Sequence, residues 1–282
     1  MSAVPKKVAD RLQTHVSNFQ KILRNAKDRD VNESDTVRIV TDILADVLGY
    51  DKYSEITSEQ AIRGTFCDLA VRVDDQIKFL IEVKAVGIAL KENHLRQAVD
   101  YAARGGIQWA VLTNGVDWQI HRIRFDRPVT ADLICMFNFL DLNPRKIEDQ
   151  DVLFLLCKEG LNKAAIEEFH QHIQNVNRFI LGALVLTDPV LDVLRRELKR
   201  LAPDTRVEKD EIKTILRDDV LKREVVEGEP ANEASARVRK AAGRPLRTRT
   251  PGEKDSEEIP LADQESGRLS TEPPQPGTAS GA

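Results

Sequence analysis

Cysteine is scarce in this chain: Cys67, Cys135 and Cys157 are the only three in 282 residues. Their number is odd and their spacing is not that of a metal site. Thiols used as small apolar residues in a reducing cytoplasm account for them. Long apolar runs are missing too. The longest, residues 179–186, is interrupted by Gly182 and falls far short of the roughly 20 residues that span a bilayer. The amino terminus has no apolar core of the kind a signal peptide needs, so a cytoplasmic chain with no membrane partner is expected. Charge of one sign is also lacking. A net charge of −4 gives no global nucleic-acid signature, and any basic surface has to be local. No internal repeat is visible.

The length leaves room for one sizeable domain plus a smaller one. Within it, residues 66–84 form two apolar runs either side of the polar Asp74-Asp75-Gln76, which reads as a β-hairpin. Each run carries charge where a buried strand should not. Asp68 interrupts the first, Glu82 and Lys84 the second, and such groups are rarely buried unless paired or bound to a metal. Glu82 and Lys84, two apart, share a face. Asp68 joins them only if it lies opposite Glu82. A loop of three unpaired residues sets Val73 against Ile77 and gives that register, whereas a two-residue turn throws Asp68 to the far face. An odd loop or a bulge is therefore expected.

Two acids beside a lysine suit Mg²⁺ or Mn²⁺, which takes oxygen ligands, keeps several waters and accepts phosphate oxygens. Such a metal lowers the pKa of bound water, and the lysine orients that water or neutralises phosphate charge. The plainer alternative is an ion pair of Glu82 with Lys84 or Arg72 on a half-exposed sheet.

Around the hairpin, Val8, Leu12, Val16, Phe19, Leu23 and Ala26 recur at helical spacing, giving an amphipathic first helix that packs on the main domain. A second helix starts at Asn32 or Ser34 and stops at Gly49, with Val37, Val40, Leu44 and Val47 inward. Extending that stripe back by one turn reaches Glu33, which either favours the helix dipole or joins the acidic patch as a third carboxylate. Residues 50–57 read as a short strand. Residues 92–104 form a helix with Leu95, Ala98, Val99 and Ala102 inward, and with Gln97 and Tyr101 as i, i+4 neighbours. Residues 107–113 and 116–123 are strands about an Asn114-Gly115 turn, with Trp109 and Trp118 in the core, and residues 133–142 give a last apolar run. The order is that of an α/β sandwich around a mixed sheet.

Beyond residue 148 the pattern is helical: a long helix over 164–186, one from Asp188-Pro189, another from Glu208, and a strand-like end over 221–226 as in a small winged-helix-like module. His170 and His172, two apart on a helix, make a poor metal pair. After Gly228 periodicity is lost and a disordered tail is expected. Its basic part, with Gly243-Arg244-Pro245, resembles an AT-hook, although a merely soluble tail reads as well.

Glu33 on a first helix, Asp68, then Glu82-Val83-Lys84 on a hairpin, and Gln97 and Tyr101 on the next helix together resemble the PD-(D/E)xK nuclease fold. More narrowly they resemble the amino-terminal nuclease domain of type I restriction enzyme R subunits, whose hallmark includes Q-x-x-x-Y after E-x-K. Leu112-Thr113-Asn114-Gly115 followed by Trp118 is similar as well. The likeness covers about residues 32–142, and stand-alone type IV restriction endonucleases are similar to about Gly228. It implies that Asp68, Glu82 and the carbonyl of Val83 ligate Mg²⁺, that Lys84 positions the water, that Glu33 is an accessory acid, and that Gln97 and Tyr101 support DNA and the site. Two departures stand out. Cys67 occupies the position that the family name gives to proline, and the chain has no G-x-x-x-x-G-K-[ST] loop, so ATP-driven translocation is not expected.

The domains expected are an N-terminal helix over 1–30, a PD-(D/E)xK nuclease-like (restriction-endonuclease-like) domain over 31–145, a helical domain over 146–228 and the tail over 229–282. The function expected is Mg²⁺-dependent hydrolysis of DNA in restriction or phage defence, with room for a homodimer. The alternatives are a weak or inactive nuclease-like DNA-binding module serving a helicase or methyltransferase partner, and a structural α/β scaffold.

Overall fold

A computed structural model of the chain describes residues 3–62 and 65–243. Its centre is a mixed six-stranded sheet in the order β1-β2-β3-β4-β5-β6. The strands are β1 (Ile56–Ile62), β2 (Thr65–Val73), β3 (Gln76–Val83), β4 (Trp109–Thr113), β5 (Asp117–Arg124) and β6 (Thr130–Asn138). Every neighbouring pair is antiparallel except β3 and β4, which run parallel. A parallel pair needs a crossover. Here a 3₁₀ turn (Glu92–Leu95) and α3 (Arg96–Gly105) supply it.

Side-chain alternation gives the sheet two apolar faces. Leu69, Val71, Phe79, Ile81, Val83, Val111 and Ile120 pack in one cluster with α1 (Lys6–Asp28), α2 (Glu33–Asp42) and the π-helical turn that extends α2 over Ile43–Val47. Ala70, Leu80, Ala110 and Leu112 pack on the other face against Leu95, Ala98, Tyr101 and Ala102. The result is an α/β/α layering of the expected α/β class. The six α1 positions expected to face inward are all buried, and Asn32 caps α2 by accepting the Asp35 N–H.

One polar node locks α1 to the far side of this core. Arg11 donates from Nε to the Val47 carbonyl at 2.9 Å, and from its guanidinium to the Leu48 carbonyl and to both oxygens of Glu159 at 2.7 and 2.8 Å. It thereby satisfies the orphan carbonyls at the end of the second helix. The guanidinium fits because Gly49 (φ +88°) has no side chain: a Cβ there would lie 2.6 Å from the Arg11 Cζ. Hydrogen bonding to Arg11 holds the Glu159 carboxyl below its ordinary pKa.

The hairpin differs from the simple odd loop. Val73 pairs with Gln76, so the turn is the two residues Asp74 and Asp75, both left-handed (φ 51° and 58°) as a type I′ turn requires. Alone, that turn would send Asp68 to the wrong face. The register shifts between Val71 and Arg72, however: Arg72 pairs with Ile77 and Val71 with Phe79, leaving Lys78 as a bulge. Leu69 then faces Ile81, and Asp68, the next residue out, reaches the Val83 N–H beside Glu82. The bulge alternative is the one realised.

Four further expectations need correction. Residues 50–55 are not a strand. Tyr50 is buried and its hydroxyl donates to the Leu156 carbonyl at 2.7 Å, while Asp51 Oδ1 accepts the N–H groups of Tyr53 and Ser54 and turns the chain. The long helix over 164–186 is two, α6 (Ala165–Asn175) and α7 (Arg178–Val185), because the Asn177 side chain caps the N–H groups of Phe179 and Ile180 and starts a new helix. α8 (Asp188–Leu201) and α9 (Lys209–Ile215) follow as expected, but residues 223–226 are a helical turn, α10 (Arg223–Val226), and not a strand. Finally, order continues past Gly228. α11 (Glu229–Ala242) buries Ala231, Ala234 and Val238, the last two in a small cluster with Ile180. Alanines at i and i+3 suffice against α7, although they carry little hydropathic signal. The AT-hook-like segment runs out of this helix into residues beyond 243, which lie outside those described. α4 (Ile147–Phe154) and α5 (Lys158–Asn162) complete the helical region, and Leu153, Phe154, Leu155, Leu156 and Cys157 join the larger core.

Two measurements test this account. Asp75→Gly, which removes a Cβ from a left-handed position, should raise stability by about 0.5–1 kcal/mol in urea unfolding. Arg11→Met should lower it by about 2–3 kcal/mol by stripping the caps and the partner of Glu159. That loss should shrink below the ordinary glutamate pKa, since the stability held by a depressed carboxyl is lost as pH falls through its folded value.

Candidate functional site

The ladder between β2 and β3 stops at the Leu69–Ile81 pair. Beyond it, side chains of β2 take over the hydrogen bonds of β3. The Asp68 Oδ2 accepts the Val83 N–H at 2.7 Å, and the Cys67 thiol donates to the Ile81 carbonyl at 3.1 Å. Burial pushes that thiol up to about 12, with help from the charges of Glu82 and Asp68, so it remains a protonated donor and not a nucleophile. The aspartate is thus fixed at the point where the two strands part, on the same face as Glu82.

Glu82 is 1% exposed. Lys84, one residue beyond the end of β3, donates its backbone N–H to the Thr113 carbonyl at 2.8 Å and extends its side chain back over the same face. Its Nζ lies 2.7 Å from Glu82 Oε1 and 3.4 Å from Glu33 Oε2. Glu33, the first residue of α2, is half exposed and reaches the group from the solvent side. Glu33, Asp68, Glu82 and Lys84, distant in sequence, therefore gather at one place.

The charge of Glu82 is not fully compensated. Desolvation pushes the Glu82 carboxyl up to about 7; the hydrogen bond from Lys84 works against this, and the neighbouring Asp68 charge adds to it. Burial acts to lower the Lys84 ammonium, but its hydrogen bond to Glu82 and the charges of Glu82, Glu33 and Asp68 outweigh that and raise its pKa. Among the described residues Lys84 pairs with both Glu82 and Glu33. The ion pair foreseen as the plain alternative exists, yet its glutamate is buried and stays above its ordinary pKa.

Carboxylate and carbonyl oxygens are hard donors, the class that a divalent cation of the Mg²⁺ type takes. Among the described residues no three His, Cys, Asp or Glu side chains form a group that could hold a metal. Mg²⁺ asks for less than that, since one or two carboxylates suffice when water and substrate phosphate complete the shell. Asp68, Glu82 and the Val83 carbonyl are the candidate donors.

The remaining sequence candidates sit on α3. Tyr101 is fully buried in the cluster with Leu80 and Leu112, under the helix, whereas Gln97 is exposed. Sequence reasoning did not single out Thr36, and it placed Asn114 in a turn without seeing that both brace the chain after Lys84. Thr36, fully buried, accepts the Val86 N–H at 3.2 Å on its hydroxyl, and Asn114 donates from Nδ2 to the Ile88 carbonyl at 2.9 Å. Buried polar side chains in a helix and after a strand are the signal that would have found them.

Residues 33–133 match the family model of the type I restriction enzyme R protein N terminus (HSDR_N), and all the residues assembled above fall inside that span. Neither the curated proteins nor the solved structures gave a match.

The raised Glu82 carboxyl makes a prediction about stability. Between the ordinary glutamate value and about 7 the folded chain keeps a proton that the unfolded chain has released, so stability should fall as pH rises through that window. Glu82→Gln should abolish this slope. At pH 8 the variant should be the more stable by on the order of 1–3 kcal/mol in chemical unfolding, and near pH 4 the two should be alike.

Proposed function

We propose that this chain, similar over residues 33–133 to type I restriction enzyme R protein N termini, is a Mg²⁺-dependent DNA endonuclease of the PD-(D/E)xK type acting in restriction or phage defence. The observation that carries the reading is the meeting of Asp68, Glu82 and Lys84 on one face at the parting of β2 and β3, with Glu82 buried and its charge incompletely compensated.

In this reading Asp68, Glu82 and the Val83 carbonyl hold the metal. When bound, the metal polarises a phosphoryl oxygen and acidifies a water. The chain does the rest. Asp68, tied to the Val83 N–H, keeps its carboxylate directed at the site without a conformational search. Lys84 carries its positive charge at any pH near neutrality, since its pKa is raised; it orients the attacking water and offsets charge on the phosphate. Glu33, on the open side, is placed to take the proton of that water or to hold Lys84 in position. Gln97, exposed on α3, contacts the DNA backbone, and Tyr101 supports the helix from beneath. A partner helicase or methyltransferase belongs to the same proposal.

Plasmid and linear DNA incubated with Mg²⁺ or Mn²⁺ test it. Wild type should nick or cut, and Asp68→Ala and Lys84→Ala should each lower the rate by about 10²-fold or more. DNA binding without cleavage under either metal would instead identify a binding module, and neither binding nor cleavage would leave a scaffold. Mg²⁺ should also raise the melting temperature of wild type but not of Asp68→Ala, because an ion that binds only the folded state stabilises it.

A further inference from the structure

A cavity of about 730 Å³ opens on the same face of the sheet as the acidic site. Its floor is set by register. Glu82 lies opposite Leu112, and Leu112 opposite Gln119. Opposed residues share a face, so Gln119 lies two strand spacings, about 10 Å, from Glu82 along one cross-strand row. The second bulge of the sheet, between Ile120 and His121, falls at this floor and brings Leu133 opposite His121.

The lining divides by chemistry. Leu95, Val99 and Leu133 make apolar walls, and Leu133 is 49% exposed where a strand residue could have been covered. On the floor the His121 Nε2 lies 3.3 Å from the Gln119 Oε1. Burial pushes His121 down to about 4, so the ring is neutral near pH 7. Engaging Oε1 fixes the Gln119 amide and leaves its NH₂ group without a protein acceptor among the described residues. At the rim stand Lys91 and Arg96, both exposed and without a carboxylate partner among the described residues, and Asp100 one turn beyond Arg96.

We propose that this cavity takes a single unstacked nucleotide. The base lies between the apolar walls with its edge on the Gln119 amide, the phosphate meets Lys91 and Arg96, and Asp100 accepts from a sugar hydroxyl or a base amino group. The size suits a ligand of that class, and the parts answer to a flat apolar body with a polar edge and an anionic end. The nucleotide comes either from a DNA strand held across the acidic site or from free mononucleotide in solution. Only the first source rests on the endonuclease reading.

The test uses the full chain in EDTA, so that cleavage does not intervene. Duplexes carrying 2-aminopurine report unstacking by brighter emission, anisotropy reports binding, and thermal shift reports the four deoxynucleoside monophosphates. Brighter emission on binding to wild type, lost in Leu133→Trp while anisotropy is unchanged, supports an extruded nucleotide. A thermal shift with a free monophosphate, lost in Leu133→Trp and weakened about tenfold in affinity by Gln119→Ala, supports the free ligand. No emission change and no shift with any of the four overturns the proposal. Plasmid cleavage assayed separately keeps the two readings apart: cleavage without either signal sinks the cavity alone, and nucleotide binding without cleavage sinks the nuclease alone.

Discussion

A carboxylate, not a carbonyl, takes the N–H of Val83, and the rest of the site follows from that substitution. Where β2 would have continued its ladder with β3, Asp68 closes the hydrogen bond through its side chain and Cys67 does the same for the Ile81 carbonyl. The Val83 N–H and the Ile81 carbonyl thus keep partners at the parting, and the Val83 carbonyl is left as a candidate donor. The carboxylate is left adjacent to Glu82 and at the edge of a gap.

Glu82 carries its charge there at a disadvantage. It sits buried on β3, and desolvation raises its carboxyl more than the hydrogen bond from Lys84 lowers it. Folding alone would be better served by a neutral side chain at position 82. The energy that holds the group comes from elsewhere: from the two apolar faces packed against α1, α2 and α3, and from the Arg11 node that fastens α1 to the end of the second helix and to Glu159. Local disadvantage carried by a large core is the pattern of sites that bind or react.

Register is the link between these levels. One bulged residue, Lys78, reconciles a tight two-residue turn with the opposition of Leu69 to Ile81, which leaves Asp68 beside Glu82. The parallel pairing of β3 with β4 then continues the same row through Leu112 to Gln119, joining the acidic pair to the cavity beside α3. Bracing by Thr36 and Asn114 holds the chain that leaves Lys84, so the lysine is positioned by three elements at once.

Much of this was legible in the chain itself. The helical stripe of α1, the Asn32 cap, the paired apolar runs around Asp74-Asp75 and the intrusion of Asp68, Glu82 and Lys84 into them are properties of spacing, and spacing alone sets which side chains of one element share a face. Tertiary structure decided the rest, because it depends on contacts between segments far apart in sequence. Whether the hairpin used an odd loop or a bulge was settled by which face the core would accept, and the ending of the 164–186 helix by a cap at Asn177. Order beyond Gly228 came from α7, which gave the alanines of α11 something to pack on. The gathering of Glu33 with Lys84 and the opening of a cavity over Gln119 likewise exist only once the strands are laid side by side. A sequence fixes the faces of its elements, and only packing fixes which faces meet.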